Sequence, residues 1–221
     1  MRYCIIGNGA AGVTAAETIR SLDPAGNITI ISDEALPVYS RCLIPDLISG
    51  EMSEEELLLR PEDFYEAQGI EALLRRVVSI GPEENCVTLA DGQEIAYDKL
   101  LLATGGSPII PEIEGIDVSA EPSSRDFVEL SRDAQAEGLD EAREGVFGLR
   151  TIEGARRIMA ASEGVERVVV IGGGMIGLRA AFALHKRGLT VTVVEMLPRV
   201  LPRQLDDVAS QIMSQAIKTE G

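Results

Sequence analysis

Gly7, Gly9 and Gly12 recur in type and spacing at Gly172, Gly174 and Gly177, and each trio follows an apolar run and opens a stretch of helical character. Glycines at these intervals let a chain turn sharply out of a strand, bring backbone N–H groups against a diphosphate and pack the next helix close to the strand. Asn8, Ala10 and Ala11 complete the first fingerprint, and Gly173, Met175 and Ile176 the second. Acids follow each copy about twenty residues on, where a ribose hydroxyl would be met. These are Asp33 and Glu34, with Ser32 at the strand end itself, and then Glu195. A lone Gly-x-Gly-x-x-Gly is a weak signal, whereas two copies between strand and helix patterns predict a chain that holds two dinucleotides. Glu195 at a strand end accepts from an adenosine 2'-OH and repels a 2'-phosphate, which favours NAD(H); Arg199 stands near enough to oppose that preference.

Two β-α-β units must carry these turns. The first reads as a strand over 2–6, a helix over 11–22 and a strand over 27–31, with Asp23-Pro24-Ala25-Gly26 as the break. The second reads as a strand over 168–171, a helix over 177–186 and a strand over 190–194, followed by a helix over 206–218. Between the units, Tyr39-Ser40-Arg41-Cys42 reads as a loop, and 51–56 and 61–68 as helical, the acids forming a solvated face. Short apolar runs at 70–74, 77–80, 86–89 and 99–102, parted by Gly81-Pro82 and Asp91-Gly92, read as strands with turns. Residues 117–145 hold nine acids and three arginines among few large apolar residues, the composition of an insertion or linker. Phe127, Leu130 and Ala134 are spaced for a short amphipathic helix within it. The strands of the second unit are apolar on both faces and want parallel neighbours, yet no third strand follows, so a piece of a longer protein is expected.

The 221 residues carry 36 acidic against 20 basic side chains, a formal charge of −16 that repels nucleic acid and anionic membranes. Local N–H groups at a helix start still bind a diphosphate whatever the net charge. The first apolar run is too short for a secretory signal, and no run of about eighteen apolar residues occurs, so a cytoplasmic location off the membrane is expected. Cys4, Cys42 and Cys86 are too scattered for a disulfide framework or a metal cluster, and His185, the single histidine, reads as a solvated surface group. No metal is expected.

The segment Tyr97-Asp98-Lys99-Leu100-Leu101-Leu102-Ala103-Thr104-Gly105-Gly106-Ser107-Pro108 resembles the strand-to-ATG segment of the FAD-dependent pyridine nucleotide-disulfide oxidoreductases. Phe147-Gly148-Leu149-Arg150-Thr151, with Ala155-Arg156-Arg157, is similar to that family's entry into its nicotinamide domain. The resemblance covers essentially the whole chain and implies an α/β fold with two Rossmann-like doubly wound units. These are an FAD domain over 1–116 and, after the acidic insertion at 117–145, an incomplete NAD domain over 146–221. It implies FAD at Gly7, Gly9, Ala10, Ala11 and Gly12, with Asp33, Glu34, Arg41, Val77, Ala103, Thr104 and Gly105. It places NAD(H) at Gly172, Gly174, Met175, Ile176, Gly177 and Glu195.

Within the family, Ser32-Asp33-Glu34 with Tyr39-Ser40-Arg41 is similar to rubredoxin and ferredoxin reductases and the flavin part of nitrite reductase, where the arginine contacts FAD. Cys42-Leu43-Ile44-Pro45, ending at Gly50, is similar instead to coenzyme A disulfide reductases and NADH oxidases, where the matching cysteine is redox-active. The histidine that NADH peroxidases and oxidases carry in the first fingerprint is replaced by Ala10, and Arg179 stands where the family often has glutamate. Cys42 is thus either a catalytic thiol beside the flavin or a packed small residue. The implied activity is hydride transfer from NADH to FAD and onward to a disulfide, a persulfide or a small electron carrier, in a homodimer when full length. The rivals are a noncatalytic nucleotide-binding or assembly module and a plain two-NAD dehydrogenase.

Overall fold

Cys4, Ile5 and Ile6 are all buried, so β1 (Arg2–Ile6) has apolar cover on both faces and lies inside a sheet. In the computed structural model, which describes residues 1–34, 37–107, 113 and 145–220, β1 pairs in parallel with β2 (Asn27–Ser32) and β7 (Lys99–Leu102). β3 (Ile70–Leu74) adds to β2, giving the order β3-β2-β1-β7. Parallel neighbours need a crossover, and α1 (Ala10–Leu22) supplies the one between β1 and β2. Its Val13 and Ala16 meet Ile5, Ile28 and Ile30 under one face of the sheet. Helix α3 (Phe64–Ala67) brings Phe64 and Tyr65 to the same cluster, their rings edge to face at 5.2 Å between centroids.

The other face is covered by an antiparallel meander of β4 (Val77–Gly81), β5 (Cys86–Leu89) and β6 (Glu94–Ala96). Val87, Leu89 and Tyr97 pack there against Cys4, Ile6 and Ile31. The short strands expected in one series therefore separate: 70–74 and 99–102 join the parallel sheet, while 77–81 and 86–89 pair antiparallel with each other or β6. Runs of four or five apolar residues do not encode their partners, and β6, with one large apolar residue, gave no strand signal. Polar ties close the unit. The Asp98 carboxylate accepts the Arg2 backbone N–H at 2.7 Å and its guanidinium at 2.8 Å. The Arg20 guanidinium donates to the carbonyls of Pro24, Gly26, Gln68 and Gly69, joining the end of α1 to the entries of β2 and β3.

By its contacts the chain forms two compact units, Met1–Ser40 with Leu58–Val146, and Arg41–Leu57 with Phe147–Gly221. In the second, β8 (Arg167–Ile171) and β9 (Thr190–Val194) pair in parallel, and α5 (Met175–Lys186) crosses between them and packs on both. Val169, Ile171 and Val194 are 60%, 53% and 50% exposed, so the other face of this strand pair is uncovered by the described residues. The sequence pattern had asked for cover on both faces. Helix α4 (Ile152–Ala161) opens on Thr151, whose hydroxyl caps Gly154 N–H, and α6 (Asp207–Glu220) follows β9.

The segment 41–57, expected in the first domain, packs with this second unit. A 3₁₀ turn (Arg41–Leu43) leads into α2 (Ile44–Ser49), which has Pro45 at its start and ends at Gly50 with φ 80°. The helix thus lies between the expected loop of 39–42 and the acids expected to be helical, which begin just after it. Those acids are paired rather than merely solvated: Glu51 accepts from Lys186 and Glu54 from Arg156. The helix expected over 61–68 shrinks to the single turn α3. The acidic stretch 117–145, with its pattern through Phe127, Leu130 and Ala134, lies outside the described residues except for Gly145.

Arg20→Ala leaves four carbonyls without a shared donor. It is expected to lower the unfolding free energy of the first unit by about 2 kcal/mol in a urea titration.

Candidate functional site

The first glycine turn is built from three close approaches. Gly7 has φ +111°, donates its N–H to Ile31 O, and leaves no room for a Cβ, which would lie 2.1 Å from the Ala103 carbonyl oxygen. Ala103, in the segment with Thr104 and Gly105, is therefore seated on the first glycine, and its own N–H donates to Ile6 O. A Cβ on Gly12 would stand 2.0 Å from Gly7 O, so only glycine lets α1 come this near the turn.

Gly9 is the opposite case. It caps α1 in an extended conformation, and among the described residues no atom beyond its chain neighbours and its own helix lies within 4 Å of where its Cβ would be, no side chain caps the helix and no acid occupies its first turn. The first N–H groups of α1, including those of Ala10 and Ala11, have no partner within the helix. Such a cradle fits a diphosphate. Asn8 is held by a contact the sequence did not reveal: its Oδ1 accepts from the Tyr65 hydroxyl at 2.6 Å. Burial pushes the Tyr65 hydroxyl pKa up. Past β2, Asp33 is exposed, and Glu34 takes the Tyr39 hydroxyl on its carboxylate at 2.9 Å. Val77 opens β4, half-buried against the cluster around Cys4 and Ile6. Arg41, expected beside the flavin, belongs by contacts to the second unit, where its guanidinium donates to Arg150 O at 3.1 Å.

The second turn repeats the first. Gly172 has φ +110° and donates to Val194 O, a Cβ on Gly177 would meet Gly172 O at 2.0 Å, and Gly174 caps α5 extended, uncapped by side chains and open around its Cβ position. The side chains of Met175 and Ile176 are exposed, leaving the start of α5 to its backbone. Glu195 folds back on the turn, its carboxylate accepting from Gly173 N–H at 2.7 Å and Leu197 N–H at 2.9 Å. These backbone donors hold its pKa below the ordinary glutamate range. Arg199 pairs with Asp207 and donates to Pro202 O, which engages the cation that the sequence set against Glu195.

The three thiols differ. Cys4 is buried in β1, and burial pushes its pKa up to about 11; burial, with Glu94 and Glu84 nearby, also raises Cys86. Both stay protonated at neutral pH. Cys42 is exposed on its 3₁₀ turn. Its carbonyl accepts from the Arg179 guanidinium at 2.8 Å, and the same guanidinium holds both Asp46 carboxylate oxygens at 2.7 Å. His185 is half-buried and lines a small cavity with Leu178, Phe182 and Val191 rather than standing in solvent. Among the described residues no group of three or more His, Cys, Asp or Glu side chains could hold a metal ion, and no helix is long and apolar enough to cross a membrane.

Two glycine turns with this geometry define a chain of paired Rossmann-type dinucleotide-binding units. Residues 1–221 match the family model for the pyridine nucleotide-disulphide oxidoreductases, and the chain belongs to that family. It is 37% identical over 230 residues to an NADH oxidase of Methanocaldococcus jannaschii, an alignment that takes in 100% of this chain and 46% of the relative. It is 33% identical to a rubredoxin-NAD(+) reductase of Pseudomonas putida, covering 100% of this chain and 51% of that protein. The structure of an NAD-dependent persulfide reductase from A. fulgidus superposes with a TM-score of 0.83 at 30% identity, over 100% of this chain and 39% of that one. The chain thus spans about half the length of these two curated relatives.

Because the folded pKa of Glu195 is depressed, its contribution to stability is present above the ordinary glutamate pKa and lost as pH falls through the depressed value. The difference in Tm between the wild type and Glu195→Gln is therefore expected at neutral pH and should shrink as the pH falls below the ordinary glutamate range.

Proposed function

We propose that this chain carries the FAD- and NAD(H)-binding units of an NADH-dependent flavoprotein oxidoreductase of the cytoplasm. The observation that carries this reading is the pair of helix starts, at Gly9 and Gly174, free of side-chain caps and open where a Cβ would be. In the first unit the N–H groups after Gly9 take the FAD diphosphate, and Asp33 or Glu34 a ribose hydroxyl. Ala103, Thr104, Gly105 and Val77 complete the flavin contacts. In the second unit Met175, Ile176 and Gly177 present their N–H groups to NADH. Glu195 keeps oxygen lone pairs for the adenosine ribose beyond its two backbone donors.

Arg199 is engaged with Asp207, so the carboxylate of Glu195 opposes a 2'-phosphate unaided and NADH is preferred. A bound flavin supplies the redox chemistry, while the residues of the chain bind, orient and shield.

For the acceptor, the exposed thiol of Cys42 supports a disulfide or persulfide. For a disulfide the overall balance is NADH, one proton and the S–S bond going to NAD⁺ and two thiols. Without a role for Cys42, the acceptor is a small electron-carrier protein, and in either case the full-length protein works as a homodimer. The uncovered face of β8 and β9 supports a second reading, a noncatalytic module that pairs with another polypeptide.

The test begins with absorbance. The chain mixed with FAD and passed through gel filtration is expected to keep the flavin bands, and Gly9→Val, which fills the open cradle, is expected to cut FAD affinity about a hundredfold. A colourless chain that elutes with a second polypeptide would instead establish the module reading. NADH-driven reduction of small disulfides that persists unchanged in Cys42→Ser would remove the thiol role and leave the electron-carrier acceptor.

A further inference from the structure

Arg179 lies one turn into α5, the helix that begins at the second glycine fingerprint. A long cation there can reach toward a dinucleotide or toward the 41–57 segment. Three hydrogen bonds place it on the segment: one to the Cys42 carbonyl and two to the Asp46 carboxylate, at 2.7–2.8 Å. The Asp46 side chain is 23% exposed and that of Arg179 is 40% exposed, so the pair is partly shielded from water. Asp46 sits in the first turn of α2, where a negative charge is favoured by the helix dipole, and the guanidinium thereby joins the turn before α2 to its first residues.

The far end of α2 is fastened separately, by Lys186 on Glu51 and by Arg187 on Ile48 O. Among these cations Arg179 makes the contact to Cys42 itself, and it does so through the main chain. A main-chain anchor fixes where the thiol leaves the backbone, which a bond to a neighbouring side chain would not do.

We propose that Arg179 is a positioning residue for Cys42, fixing the turn that carries the exposed thiol to the helix of the NAD(H) fingerprint. The inference rests on the reading of Cys42 as the reacting thiol. It also assigns Arg179 away from the dinucleotide, so NADH affinity and the order of the turn respond to different substitutions.

Amide hydrogen exchange on the full 221-residue chain tests this. Arg179→Met is expected to speed exchange over residues 42–46 about fivefold, the size of effect a partly exposed ion pair supports, and to leave the NADH dissociation constant within about twofold. Lys186→Met is expected to loosen residues near Glu51 and leave 42–46 unchanged. In a Cys86→Ser background, the reaction of Cys42 with 2,2'-dithiodipyridine forms the mixed disulfide and releases pyridine-2-thione. It should run about threefold faster in Arg179→Met and Asp46→Asn, because the freed turn offers the sulfur more directions for in-line attack. It should not change in Lys186→Met.

Should Arg179→Met fail to fold, Asp46→Asn, which keeps a polar side chain, decides the matter by the same exchange readout. Unchanged exchange over 42–46 in the folded variants overturns the proposal, as does a tenfold loss of NADH affinity without a change in exchange. A Cys42→Ser variant of full disulfide-reducing activity would defeat the reading of Cys42 as the reacting thiol, and a wild-type chain that binds no NADH would defeat the NAD(H) reading. The exchange result would still decide whether Arg179 holds the turn.

Discussion

The structure depends on a carbonyl oxygen occupying the place of a side chain. At Gly12 and again at Gly177 the oxygen of the first fingerprint glycine lies 2.0 Å from where a Cβ would be. That approach brings each helix start up to the end of its strand. Among the described residues no side chain caps the first N–H groups of either helix, and no acid stands in its first turn. Unpaired donors at a helix start cost free energy unless water or an anion satisfies them. A stability cost and a binding capacity thus have one origin, and it appears twice in one chain.

Electrostatics works locally against the sum. A formal charge of −16 would discourage any anion at long range, yet no acid stands in the first turn of α1 or α5. The acids are kept elsewhere, many of them in pairs: Glu17 with Arg60, Asp98 with Arg2, Glu51 with Lys186 and Glu54 with Arg156. Exposed pairs of this kind contribute little to stability one by one, about 0–1 kcal/mol. Along 41–57 they serve to fasten a short helix, and with it an exposed thiol, to the second unit.

The membership of 41–57 changes the view of the chain. It interrupts the first unit in sequence, between β2 and β3, yet packs with residues of the second. Arg41 and Cys42, which the sequence grouped with the flavin unit, therefore stand on an element whose position α4 and α5 determine. The replacement at position 179, which the family resemblance marked as a departure, finds its partner in Asp46 of that same element.

Much of this was legible from residue types alone. Apolar runs at β1, β2, β8 and β9 with glycines at fixed intervals specify strand, turn and helix locally, because the steric demand at Gly7 and the helical period act over a few residues. The family followed from the same local signals together with the segment from Tyr97. Tertiary structure alone decided which strands pair, since 70–74 and 77–80 carry similar apolar runs and differ only in the surfaces they meet. It also decided that Tyr65 supports Asn8, that Arg179 holds Cys42 and Asp46, and that 41–57 joins the second unit. Local sequence determined the two glycine turns because their geometry is written in backbone sterics; contacts between residues 57 to 137 positions apart exist only once the chain has folded, and no local pattern encodes them.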